Sequence, residues 1–350
     1  MKAASAELAS VPEVALWSGV ADNRQRPDAN LRAHWQAVVM TRVSYRDRLT
    51  SPLPTPRDMV KILREGGIRG SAAHADRIPV LRTGLPALEP GTASWTWVGH
   101  STYFVRFGGM TILTDPVWSA KISGVAPRLT PPGLAWEELP KIDVVVISHD
   151  HYDHLDAPTI KRLPRDTPIV CGASLGKWFR RRGFTGVVEL DWWESVEIGG
   201  VTFDFVPSHH WSRRGLFDTC ATLWGGWVIT AADGTRTYHA GDSGYGHRFA
   251  EIGERYPGID LAMMPIGAYE PRWFMRSVHL NPAEAVRALD DVGAKRLASM
   301  HWGTFILTRE PVDLPLTEIH KAWAASGRAP EDLWALAIGE TRTLPMRGAR

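Results

Sequence analysis

The texture of apolar and polar positions changes at Ser94. Beyond it, short runs of β-branched and aromatic residues at 94–98, 102–107 and 110–114 read as strands, the last two joined by a favourable Gly108-Gly109 hairpin turn. The run from Asp143 to Ser148 (DVVVIS) is apolar without alternation, as a strand buried on both faces requires. Further strands are expected at 168–171, 187–190, 194–198, 201–206, 222–230, 236–240, 261–265, 296–300 and 334–338. Helices are expected at 158–163, 174–182, 249–255, 282–292 and 317–325. Two strand-rich halves, each followed by helices, predict two packed β-sheets with helices outside.

Before Ser94 the pattern differs. Residues 30–45 fit one helix, and Thr55-Pro56-Arg57-Asp58 carries the start of another, with Thr as N-cap, Pro at the first helical position and an acid at the third. Gly66-Gly67 stops that helix, and Pro79, Pro86 and Pro90 predict an extended linker. The chain thus divides into a helical and irregular extension over 1–93 and a main domain over 94–350.

Composition narrows the class. Hydrophobic residues at 44% and charged residues at 22% of 350 fit a globular protein with a large interior and exclude disorder. Lys+Arg of 40 against Asp+Glu of 38 leaves a net charge of +2, which offers nucleic acid no strong attraction. Cys171 and Cys220 are too few for a disulfide framework and read as buried thiols in a reducing compartment. The first 18 residues hold no signal-peptide core, and no run approaches the roughly 20 apolar residues of a membrane span. A cytoplasmic location, with peripheral membrane contact left open, is the expectation. The 16 tryptophans read mainly as packing residues.

Chemistry enters at His149-Asp150-His151-Tyr152-Asp153-His154. This stretch follows the buried strand and occupies the loop at its carboxyl end, where open α/β sheets place ligand chemistry. Alternate side chains of an extended loop share a face, so His149, His151 and Asp153 converge, and a turn after Asp153 swings His154 to a second centre. Imidazole and carboxylate suit zinc, manganese or iron. Three histidines in six residues, from 13 in the chain, argue against an ordinary hydrophilic loop.

His-x-His-x-Asp-His after a strand resembles the signature of the metallo-β-lactamase superfamily. The resemblance implies an αββα sandwich, two mixed β-sheets flanked by helices, with up to two metals at the loop edges of the sheets. Its other motifs match Asp115 in Thr114-Asp115-Pro116, His210 in Ser208-His209-His210-Trp211, Asp242 in Ala240-Gly241-Asp242-Ser243 and His301 in Met300-His301-Trp302. By this resemblance His149, His151 and His210 hold one metal, Asp153, His154 and His301 the other, and Asp242 bridges. His209 competes with His210 for its role, and the family's His-Trp pair favours His210. Asp115 and His100 are expected beside the ligands rather than among them. The implied cofactors are two divalent ions, zinc first, with Mn2+ or Fe2+ as alternatives.

Longer matches resemble one branch, the N-acylphosphatidylethanolamine-hydrolysing phospholipase D family. They include Trp97-Val98-Gly99-His100-Ser101-Thr102, Thr222-Leu223-Trp224-Gly225-Gly226-Trp227, Ala240-Gly241-Asp242-Ser243-Gly244-Tyr245, the run Pro265 to Met275 and His301-Trp302-Gly303-Thr304-Phe305. The first 90 or so residues match no motif of that family. The branch implies a phosphodiester or phospholipid substrate attacked by a hydroxide between two metals. Asp242 then holds the bridge, Asp153 accepts a hydrogen bond from the nucleophile, and His279 contacts substrate or assists the leaving group. Arg213, Arg214 and Arg272 offer forks for phosphate oxygens, although solvated surface arginines account equally well for the first two. Tyr269, Trp273, Phe274 and Met275 lie in the same matched run. The last three would line an acyl channel or a membrane-facing rim, with core packing as the alternative. A lactonase or esterase on the same fold and a non-catalytic metal-binding protein are the rival readings.

Overall fold

The structure, a computed structural model, describes residues 43–122 and 127–348. The helix expected at 30–45 lies outside these residues except for its last three, which are irregular, and the first 18 residues lie outside them too. Helix α1 (Pro56–Arg64) begins as its sequence dictates: Asp58 N–H donates to Thr55 Oγ1, and Thr55 N–H donates to the Asp58 carboxylate at 2.8 Å. Such a cap contributes about 1 kcal/mol.

The first sheet takes β1 (Thr92–Gly99), β2 (Thr102–Phe107), β3 (Met110–Thr114), β4 (Val144–Ile147), β5 (Ile169–Gly172) and β6 (Val187–Leu190), with α2 (Ala157–Arg162) and α3 (Gly176–Arg180) between its later strands. The second takes β7 (Ser195–Ile198), β8 (Val201–Val206), β9 (Gly226–Ala231), β10 (Arg236–His239), β11 (Leu261–Pro265), β12 (Arg296–Met300) and β13 (Leu333–Trp334). Its helices are α4 (Arg248–Arg255), the single turn α5 (Arg272–Met275), α6 (Pro282–Val292) and α7 (Leu314–Ser326). The last strand, β14 (Thr341–Pro345), returns to the first sheet.

The two sheets run β14-β1-β2-β3-β4-β5-β6 and β13-β12-β11-β10-β9-β8-β7. In each, a run of antiparallel strands gives way to parallel ones, at β3–β4 in the first and β10–β11 in the second. Strands β4 and β11 are buried along their whole length, whereas the edge strands β7 and β14 alternate with solvent. On β2, Tyr103, Val105 and Phe107 face the space between the sheets while Phe104 faces the outer layer with Leu113, Ile160 and Phe179. Trp95, Trp97, Trp224 and Trp227 are wholly buried in the inter-sheet core, so these tryptophans are packing residues, each stabilising by roughly 1.5–3 kcal/mol on burial.

Residues from Val43 onward belong to one compact unit with the sandwich. Tyr45, Leu49 and Leu53 pack on its core, and Arg48 forks onto Asp191 at 3.1 Å. Four elements differ from expectation, the first being α5, a single helical turn where the sequence reads as a loop. Strand β9 starts at Gly226 rather than 222, because Leu223 and Gly225 donate their N–H groups to Ala173 and Ser148 and so hold a loop beneath the β4 end. The apolar run 334–338 is a strand only at Trp334, its remainder being tied to the segment at Val80. Strand β14 has no apolar alternation to reveal it, since it covers an edge.

Candidate metal centre

The motif loop leaves β4 at Ser148, and the ends of β3, β8, β10 and β12 deliver Asp115, His210, Asp242 and His301 to the same cleft. Space there is tight. Gly241, at φ 61°, lies so close to the first sheet that a Cβ would meet Gly225 O at 2.6 Å and Ser148 Cβ at 2.8 Å. Three non-glycine residues around the cleft also have left-handed backbones: His100 (φ 52°), Asp115 (φ 38°) and His301 (φ 63°). Strain of this kind persists only where the surroundings over-determine it.

Two sets of side chains converge. In the first, His149 Nε2 and His210 Nε2 lie 2.9 and 3.2 Å from His151 Nδ1. In the second, Asp153, His154 and His301 meet, with Asp153 Oδ2 3.8 and 3.6 Å from the Nε2 atoms of the two histidines. Asp242 reaches both sets. Its Oδ1 lies 3.1 Å from His301 Nε2, and its Oδ2 lies 3.2 Å from His154, 3.9 Å from His149 and 3.8 Å from His210 Nε2. His209 turns away, its Nδ1 at 2.8 Å from Thr50 Oγ1 and its Nε2 accepting from Arg248 N–H.

Neighbouring groups fix the rings. Asp115 accepts from Ser148 N–H at 2.7 Å, from Ser148 Oγ at 2.6 Å and from His154 Nδ1 at 2.7 Å. Ser148 Oγ also meets His149 Nδ1, and Val278 O accepts from His210 Nδ1 at 3.1 Å. Holding the far ring nitrogen sets which nitrogen is presented to the cleft. Ser148 and Val278 were not singled out by sequence. Ser148 was within reach, since it is the residue joining the buried strand to the motif.

The residues fit divalent metals. His154 Nε2 and His301 Nε2 are buried and face the Asp242 carboxylate at 3.2 and 3.1 Å without an aligned hydrogen bond, an arrangement that costs free energy unless something else engages these atoms. The 2.9 and 3.2 Å nitrogen separations of the first set approach the edge of roughly 3.3 Å of a tetrahedron with bonds near 2.0 Å. Burial pushes His149 and His210 well below the usual histidine range, and neighbouring imidazoles add to this, so both rings are neutral, as ligands must be. Burial opposes charge on His154 and His301 too. There Asp242 and Asp153 prevail, holding His154 well above its usual range and His301 up to about 9, so a cation bound by that set would displace the protons of these two rings.

His279 is buried on the loop before α6, its ring centroid 5.3 Å from those of His210 and His301 and its Nδ1 without a hydrogen-bond partner. The other expected substrate contacts are mostly occupied. Arg272 donates from Nη2 to both carboxylate oxygens of Glu284, at 2.7 and 2.9 Å, and from Nη1 to His279 O at 3.0 Å, so its guanidinium braces the His279 loop instead of opening to the cleft. Arg214 donates to Asp150 O and covers the Tyr152 ring. Arg213 is exposed and donates from Nε to Gly215 O. Tyr269 and Met275 are buried, and Phe274 is half-buried. Trp273 is exposed at the surface, where it donates to Glu65 beneath the Lys61 ammonium.

Comparison with known proteins agrees with this architecture. A profile of the Beta-lactamase superfamily domain matches residues 110–302, more than half of the chain. The chain belongs to that superfamily and has the metallo-β-lactamase fold. An N-acyl-phosphatidylethanolamine-hydrolyzing phospholipase D of Caenorhabditis elegans is 40% identical over 227 residues, 60% of this chain and 64% of its own length, so the match spans under two thirds of that relative. An uncharacterized protein of Mycobacterium tuberculosis is 40% identical over 265 residues, 72% of this chain and 70% of its own. Among solved structures, Igni18, a metallo hydrolase of Ignicoccus hospitalis, superposes with a TM-score of 0.55 at 25% identity, over 72% of this chain and 98% of that one.

Proposed function

We propose that the chain is a two-metal phosphodiesterase of the phospholipase D type, cleaving N-acylphosphatidylethanolamine to phosphatidate and an N-acylethanolamine. The observation that carries the two-metal reading is Asp242, whose Oδ1 faces His301 of the second set while its Oδ2 lies between His154 of that set, at 3.2 Å, and His149 and His210 of the first, at 3.9 and 3.8 Å. The substrate class is supported by the C. elegans relative, whose name states that reaction.

His149, His151 and His210 would hold one ion and Asp153, His154 and His301 the other, with zinc the first choice for this nitrogen and carboxylate set. Bound there, divalent cations supply Lewis acidity and a water of lowered pKa. Asp242, within reach of both sets, would be shared between the two positions. Asp153 accepts a hydrogen bond from the nucleophilic water. As the water's oxygen bonds to phosphorus, the phosphorus–oxygen bond to the N-acylethanolamine breaks, and the leaving oxygen takes up the proton the water loses. His279 lies beside both sets, and its Nδ1, buried without a hydrogen-bond partner, would contact the substrate. Arg272 acts through the loop that carries it.

Among the described residues no helix is long and apolar enough to cross a membrane, so a lipid substrate would be met by peripheral contact with the bilayer. The test is a substrate panel with metal analysis. Zinc-loaded protein is expected to release phosphatidate from N-acylphosphatidylethanolamine vesicles, followed by mass spectrometry. Turnover of a lactone with no phosphodiester cleaved sinks the reading.

A further inference from the structure

His100 touches residues of the second metal set from both sheets. Its Nε2 lies 3.0 Å from Oδ2 of Asp153, on the β4 loop, and its ring centroid lies 4.1 Å from that of His301, at the end of β12. The β1–β2 turn that carries it is fastened to the second sheet by its backbone. His100 N–H donates to Thr304 Oγ1 at 2.7 Å, and His100 O accepts from His301 N–H at 3.0 Å and from Trp97 Nε1 at 2.8 Å. Phe305 closes the ring edge-on at 5.2 Å. The imidazole is buried, and its Nδ1 has no hydrogen-bond partner, so its polar contact with the site is made through Nε2. An ionised carboxylate can only accept, which places the imidazole proton on Nε2 and makes His100 the donor.

We infer that His100 is a positioning residue that sets the Asp153–His154–His301 position in register across the seam between the sheets, by donating one hydrogen bond to Asp153. The inference rests on the two-metal reading above. It does not make His100 a ligand, because its Nε2 is committed as a donor.

The test reads metal binding, independently of substrate. Metal-free full-length protein is titrated with Co2+, following visible absorption and heat, for wild type, His100→Asn and His100→Gln. Asparagine tolerates the left-handed backbone but is too short to reach Asp153, whereas glutamine places an amide N–H near the position of Nε2. Wild type is expected to bind two ions. In His100→Asn the affinity of one site is expected to fall about 10–100-fold with the other unchanged, and glutamine to restore much of the loss. Thermal unfolding of the metal-free variants separates this from general destabilisation, which would weaken both sites together and overturn the inference. Unchanged affinities in His100→Asn also overturn it, as does a change in cobalt band shape indicating a lost coordinating atom. A single ion bound by wild type overturns the two-metal reading and this inference with it.

Discussion

The loop after β4 brings His149, His151, Asp153 and His154 to the cleft within six residues, whereas the second sheet sends His210, Asp242 and His301 one at a time from the ends of β8, β10 and β12. The first arrangement needs one well-held loop, anchored by Asp115 and Ser148. The second needs three strands in correct register, each ending at the same level. Local sequence therefore builds part of each set, but only tertiary packing completes either, because each set takes one histidine from the second sheet.

The most severe way to break this arrangement is at Asp242, which joins the two sets. Asp242→Asn is expected to lower kcat by ~10³-fold with the fold retained, checked by turnover beside circular dichroism. Next come His151→Ala and His301→Ala, one from each contribution. Each is expected to remove one ion of two by elemental analysis, and loss of both ions from either variant would show that the sets do not form independently. Chelation of the metals should lower stability by about 2.7 kcal/mol for each ion removed, about 5.4 kcal/mol for two, relative to protein held at a hundredfold excess over Kd, read by calorimetry. Asp115→Asn loosens the anchor of His154 and is expected to weaken metal binding about 10–100-fold. The smallest effect is expected at Arg213→Ala, no more than about threefold in kcat/KM, since that side chain is exposed.

The same contrast explains what could be read from the chain alone. The β4 loop was legible because strand and ligands are contiguous and the residue types are costly to cluster for any other reason. Strands β2, β3, β8 and β11 were legible for the same local cause, their apolar runs matching their bounds. Asp242 follows Ala240-Gly241 and looks like any turn residue; only the superfamily resemblance singled it out. Arg272 illustrates the opposite failure. Its charge and its place in a matched motif suggested a phosphate contact, but Glu284, which also caps α6, lies within reach of its fork. No periodicity along the chain carries that information, because the partner belongs to a different element.

Left-handed backbone at His100, Asp115 and His301 has a consequence for which residues these positions accept. Outside glycine, Asn, Asp and His are several-fold enriched in that conformation. Metal coordination and its supporting hydrogen bonds independently favour His and Asp. The two filters overlap on nearly the same short alphabet, so a substitution that spares the chemistry is often one the backbone tolerates too. Libraries built at these three positions should therefore yield few survivors, and those few should be drawn from the same small group of side chains.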